Sequence, residues 1–239
     1  MPPSRLIPMK PRDPHEPGRV SSSLELFFDL VFAVAVAVAS AQLHDSFAEG
    51  RIWEGLVSYA VVFFGVWWAW MNFTWFATSF AAEDWLYKLL TILQMAGVLV
   101  LTAGIPPVFA GSNFTVLVLG YVVMRVAMVA QWLRAARRAG GRRRTTLRYA
   151  TGIAVVQVLW LLWLLLEGPA AAAALVLLIA AELAIPVVAE RTGNTPWHPH
   201  HITERYGLFT LILLGGSLLG SSNAIIAALS DVEALARWW

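Results

Sequence analysis

The sequence predicts an all-α, polytopic integral membrane protein, a bundle of about seven transmembrane helices. Three observations lead there. Hydrophobic residues make up 59% of the 239 positions, mean hydropathy is +0.66, and only 13% of residues are charged. So few charges cannot cover a soluble core of that composition. Several apolar runs reach the roughly 20 residues that cross a bilayer. The runs are rich in Leu, Ala and Val without strict alternation. They therefore suit helices, which satisfy their own backbone polar groups in lipid, and not the strands of a barrel.

Residues 1–23 are polar and rich in Pro, and they lack the short apolar core of a secretory signal. They read as a cytoplasmic tail, and the first apolar run reads as a retained helix. The spans are expected over residues 24–44, 53–80, 85–105, 114–134, 147–166, 170–190 and 204–224. Loop chemistry separates them: Pro106-Pro107, Gly140-Gly141, Gly168-Pro169 and residues 193–199. The bundle thus occupies 24–224, and 225–239 form a C-terminal tail. Cys is absent, which excludes disulfides and thiolate metal sites.

Orientation follows from Lys and Arg near the spans. Arg5, Lys10, Arg12 and Arg19 lie in the N-terminal tail. Arg134, Arg137, Arg138, Arg142, Arg143, Arg144 and Arg148 surround the fourth loop, so these two places hold 11 of the 17 basic residues. Both fall on one side, which is expected to be cytoplasmic. Seven spans then place the C-terminus outside, where Asp231 and Glu233 are compatible with it. The loop with Glu83, Asp84 and Lys88 supports this scheme least. Topology accounts for the arginine cluster, so nucleic acid is not an expected partner; the bilayer is.

Charges within the spans carry the functional reading. Asp29 lies about five residues into the first span, Arg125 in the middle of the fourth, and Glu182 in the inner half of the sixth. Facing lipid, each would cost ~2.5–3.5 kcal/mol on insertion scales, so each should face protein or water. At ~1.5 Å per residue all three lie between the inner surface and the midplane. Glu25, Glu204 and Arg205 sit just below. Four acids and two arginines are thus expected to converge at one depth as a binding site for a proton, small ion or solute.

Structural roles compete with that reading. Ser22-Ser23-Leu24-Glu25 matches the S-x-x-E capping box, which gives Glu25 a role at a helix start. Glu204 in a first helical turn complements the helix dipole. Asp29 is too deep for a cap, and its structural alternative is an ion pair with Arg125 or Arg205. Asp29, Ala33, Ala37 and Ala41 form a small-residue stripe that lets a neighbouring helix approach, so Asp29 is expected to point at protein. Pro186 frees the carbonyl of Glu182, either a plain kink or the makings of a cation site. Tyr121, one turn before Arg125, can stack on it.

Two further clusters stand out. Trp67, Trp68, Trp70, Phe73, Trp75 and Phe76 crowd the second span, as packing and lipid contact or as an aromatic ligand box. Trp197, His198, Pro199, His200 and His201 read as a turn sooner than as a metal site, which needs converging nitrogens. No metal or cofactor is expected.

Two stretches resemble the bacterial low temperature requirement protein A family. LELFFDLVFAVAVAVASAQLH is similar to that family's opening helix, through Glu25, Phe27, Phe28, Asp29 and Phe32. HHITERYGLFTLILLGGSLLG is similar to its second signature, through Glu204, Arg205, Tyr206, Gly207, Leu208 and Phe209. Gly216 stands where members often carry Glu. Members tend to be longer, which makes this chain a short member or a truncated product. The resemblance implies an integral membrane protein named for growth in the cold, and no specific chemistry.

The expected function is a transporter-like carrier with a proton- or cation-binding acidic site. The alternatives are a channel constricted at Phe28, Phe32 and Val36, and a sensor or scaffold that uses the arginine loop. No H-E-x-x-H, G-x-S-x-G or paired intramembrane Asp motif occurs, so no enzyme is expected.

Overall fold

The computed structural model describes residues 6–111 and 113–236; in its last helix, side chains beyond Gly216 are described only at Leu218 and Ser222. Expectations about Arg5, Asp231 and Glu233, and about the end of the chain at Arg237 to Trp239, lie outside the described residues and side chains.

Eight helices follow one another: α1 Ser23–Ala48, α2 Ile52–Phe80, α3 Trp85–Ala103, α4 Ile105–Gly111, α5 Thr115–Ala136, α6 Arg143–Trp163, α7 Gly168–Ala189 and α8 Pro199–Ala236. The described residues contain no strand. Six stretches among them are long and apolar enough to cross a membrane: α1, α2, α3 with α4, α5, α6 and α7 with their flanking turns. The seventh expected span falls within α8. The all-α helical bundle is therefore what the hydropathy pattern called for.

Local chemistry places the ends. The Ser22 hydroxyl accepts from the Glu25 amide, and the Glu25 carboxylate accepts from the Ser22 amide at 2.8 Å, so the capping box forms and starts α1. Asp84 caps α3 by accepting from the amide of Tyr87 at 2.9 Å. Gly140, at φ +57°, makes the left-handed turn after α5 that a side chain would resist.

Pro106-Pro107 does not interrupt helix as expected. The chain turns at Gly104 and the two prolines sit in the first turn of α4, where a missing amide hydrogen leaves no bond unmade. The expected stripe on α1 also fails beyond its first turns. Asp29 and Ala33 are buried, but Ala37 and Ala41 are exposed. A four-residue step overshoots one turn by about 40°, so by Ala41 the stripe has rotated by about 120°. The buried face runs through Phe28, Asp29, Phe32, Ala35, Val36 and Ala39, while Phe27, Leu30 and Val34 face outward.

The closest helix contact joins α3 to α5. A Cβ on Gly120 would meet the Leu101 amide nitrogen at 2.3 Å, and one on Gly104 would meet that of Leu117 at 2.3 Å. Backbones touch there because these positions carry no side chain. Helix α1 packs against α2, α3 and α8, while α5, α6 and α7 follow one another away from α3. Helix α2 stands between α1 and α8 on one side and the α5–α7 group on the other.

One end of the bundle gathers the N-terminal segment, the start of α3, the α5–α6 connection and the start of α8. Arg19 donates to the carbonyls of Thr78 at 2.5 Å and Ala77 at 2.9 Å, which lie among the last carbonyls of α2. Arg134 bridges the carboxylate of Asp84 and the carbonyl of Ile7. His198 contacts the carbonyl of Glu16 at 2.9 Å. The N-terminal segment is thus laid across the helix ends.

Candidate functional site

The six charged residues singled out in the sequence are all placed, but they do not form one site. Helix α2 divides them. Trp68 and Trp70 lie two residues apart, about 200° around the helix. Their indole N–H groups therefore point to opposite sides, and each meets a different carboxylate.

On the α1–α8 side, Arg205 holds Asp29 with two bonds, Nη2 to Oδ1 at 2.5 Å and Nε to Oδ2 at 3.1 Å. Trp70 donates to the same carboxylate at 2.6 Å. Asp29 and Arg205 are both 0% exposed. The other arm of Arg205 lies 3.2 Å from Glu25, and His201 stands 3.3 Å from the same Glu25 oxygen. One guanidinium thus serves two acids on successive turns of α1. Of the two partners that the sequence allowed Asp29, it is Arg205.

On the α5–α7 side, Glu182 is fully buried and collects donors from three helices. Arg125 reaches it at 2.8 Å and Tyr121 at 3.0 Å, both from α5. Gln157 and Trp160 of α6 donate at 3.2 and 3.3 Å, and Trp68 of α2 at 3.0 Å. The Arg125 guanidinium lies 4.8 Å from the Tyr121 ring centre, the stacking foreseen for that pair. Helix α7 has few polar residues, and Glu182 ties it to α2, α5 and α6.

Glu204 joins neither pair. One of its oxygens accepts from the Ser21 amide at 3.4 Å, which ties α8 to the chain entering α1. Among the described residues no hydrogen bond or ion pair links the two clusters, and no group of three or more potential ligands is placed to hold a metal ion. The convergence expected from depth is corrected on this point. Height along a helix leaves open which way a residue faces around it.

Trp68, Trp70, Gln157 and Trp160 were not assigned to the site from sequence. Gln157 carried a readable signal, an amide in an otherwise apolar span. The tryptophans carried none, since the same residues pack cores and face lipid.

A cavity of ≈ 430 Å³ opens between the two clusters. Trp68 and Met71 of α2, Trp132 of α5, Pro186 of α7 and Tyr206 of α8 belong to its wall. It lies toward the end that carries the N-terminal segment, because Thr195 and Trp197 of the α7–α8 connection also line it. Its wall is one side chain from each ion pair. Trp68 is bonded to Glu182, and Tyr206 adjoins Arg205 and packs edge-on against Trp70 at 5.0 Å.

Bundle and buried charges together define a multi-pass helical membrane protein. The family description "Bacterial low temperature requirement A protein" matches residues 20–238. The chain belongs to that bacterial family. It is 28% identical over 205 residues to the uncharacterized protein RA0937 of Rhizobium meliloti (strain 1021), a match that covers 82% of this chain and 49% of that protein. The chain therefore spans about half the length of that relative. No solved structure matches.

Proposed function

We propose that the protein is a non-enzymatic carrier of the bacterial inner membrane, with its N-terminus and arginine-rich end in the cytoplasm. Its solute site is the cavity, and its coupling groups are the two buried carboxylate–guanidinium pairs on either side. The observation that carries this reading is the direct bond from a wall residue, Trp68, to Glu182. A solute that moves Trp68 removes a donor from a buried carboxylate and changes that group's hold on a proton or on Arg125. Tyr206 and Trp70 offer a similar route to Asp29. The basic end suits the cytoplasmic side by the positive-inside rule.

The test is proton flux into liposomes reconstituted with the protein, read with a trapped pH dye while a panel of solutes is supplied from one side. A solute-dependent proton signal is expected, strongly reduced in Asp29→Asn and in Glu182→Gln. A signal unchanged in both variants sinks the carrier reading.

A second reading, a non-transporting sensor or scaffold, draws on a different observation: each buried acid meets a guanidinium of the chain itself, Asp29 that of Arg205 and Glu182 that of Arg125. It predicts that deleting residues 142–144 abolishes function while Asp29→Asn does not. A channel constricted at Phe28, Phe32 and Val36 fits the packing poorly. Phe28 is fully buried and stacks on Phe32 at 4.6 Å and against Phe73 at 4.0 Å.

A further inference from the structure

We infer that the cavity is a binding site for an organic cation, an alkylammonium or quaternary ammonium group. The inference names the solute class of the carrier reading and takes its physiological meaning from it, although binding itself is measured separately.

Aromatic rings dominate the wall. Trp68, Trp75, Trp132 and Trp197 contribute indoles, and Tyr149 and Tyr206 contribute phenol rings. Trp75 and Trp197 approach each other at 5.4 Å with their planes tilted by 55°, and Trp75 donates to the Tyr206 hydroxyl at 3.3 Å. Trp132 lies flat on Tyr149 at 4.3 Å, which fixes both rings. Tryptophan and tyrosine at a membrane interface ordinarily face headgroups. Here Trp68, Trp132 and Tyr149 are buried and line a partly open cavity between helices. Ring faces carry partial negative charge, and a box of them holds a cation too bulky and too weakly hydrated to need water. The volume falls in the range of small-ligand sites.

The wall also contains one carboxylate, Glu190, at the end of α7. Its Oε1 accepts from the Tyr149 hydroxyl at 3.0 Å and from the Thr195 hydroxyl at 2.8 Å. Among the described residues no bond engages Oε2 of this half-buried carboxylate, and no guanidinium or ammonium group lies within 4.0 Å of it. Of the arginines around it, Arg148 donates to the Thr192 hydroxyl and Arg142 to the Asn194 carbonyl. This differs from Asp29 and Glu182, which are neutralised by their own arginines. The cavity thus pairs aromatic walls with an acid that has no cation of its own, and an ammonium ligand supplies the missing charge.

The test is calorimetric binding to the chain in detergent with choline and tetraethylammonium, against 3,3-dimethylbutan-1-ol, the neutral shape analogue of choline. Saturable binding of the ammonium probes is expected, with the neutral analogue at least tenfold weaker. Glu190→Gln keeps an acceptor for Tyr149 and Thr195 and is expected to weaken the ammonium probes about tenfold, equivalent to ~1.4 kcal/mol. Trp197→Ala, at a connection where the ring is 42% exposed, should weaken them without disturbing the bundle. Equal binding of choline and its neutral analogue would mark an apolar cavity filled by lipid and would overturn the inference, as would no saturable binding of either ammonium probe. Binding without solute-coupled proton flux supports the site and removes the carrier. Coupled flux of other solutes with no ammonium binding does the reverse.

Discussion

Removing Arg205 should damage this protein more than removing either acid it serves. In Arg205→Met, Asp29 keeps only the indole N–H of Trp70, and Glu25 keeps only its cap and His201. Two buried carboxylates then lack their cation. Breaking a single buried pair costs about 3–5 kcal/mol, and here that range is a lower bound for the same change. In Asp29→Asn the amide oxygen still accepts from Trp70, and Arg205 retains Glu25 at 3.2 Å and Thr74 at 3.4 Å. The loss is then that of charge-assisted hydrogen bonding, about 1.5–3 kcal/mol. Reversible unfolding in mixed micelles of SDS and a mild detergent measures both. The expected order is Arg205→Met well below Asp29→Asn, and Asp29→Asn below wild type. Asp29→Asn as destabilising as Arg205→Met, or both within 1 kcal/mol of wild type, would refute the sharing of one guanidinium between two buried acids.

Three other outcomes follow from the same geometry. Gly120→Ala drives a methyl group to 2.3 Å from the backbone of Leu101 and should cost about 1–3 kcal/mol or more, whereas Gly65→Ala meets nothing within 4 Å and should be neutral in the same unfolding assay. Glu182→Ala leaves Arg125 buried without its acid and should cost about 3–5 kcal/mol, seen also as faster proteolysis at the loops flanking α7. Burial pushes the Asp84 carboxyl upward, but Arg134 and the amides of Tyr87 and Ile7 outweigh this and hold it below the usual carboxylate range. A lowered folded value means that stability is present above the unfolded value of about 3.9 and is lost as pH falls through the folded one. Asp84→Asn should therefore be less stable than wild type at neutral pH, and the gap should close under acid titration.

The spans were legible because lipid imposes one rule on every residue in them. Predicted and observed ends of α2 and α3 agree within two residues, and the capping box of α1 could be read directly from Ser22 and Glu25. Helix α6 begins at Arg143, earlier than expected, because charge marks an interface without stopping a helix. The inward aspect of Asp29 was legible from cost alone: an acid in hydrocarbon must be covered. Its partner was not, since counting along the spans gives Arg125 and Arg205 similar depths and leaves rotation about the helix axis unread. The role of α2 as a divider was hidden for the same reason. Trp68 and Trp70 belong to one aromatic cluster in the sequence, and only three-dimensional packing sends one to Glu182 and the other to Asp29. Glu190 was passed over because a carboxylate at a helix end is ordinary, and its significance comes from the rings that surround it.

The division of buried charge into two independent pairs is tested most directly by double-mutant cycles over Asp29, Arg205, Glu182 and Arg125, with stability as the readout. Coupling well above 1 kcal/mol is expected within Asp29–Arg205 and within Glu182–Arg125. The crossed pairs, Asp29 with Arg125 and Glu182 with Arg205, should be additive within about 0.3–0.5 kcal/mol. Crossed couplings as large as the direct ones would show a single shared charge site and contradict the arrangement of a cavity between two separate pairs.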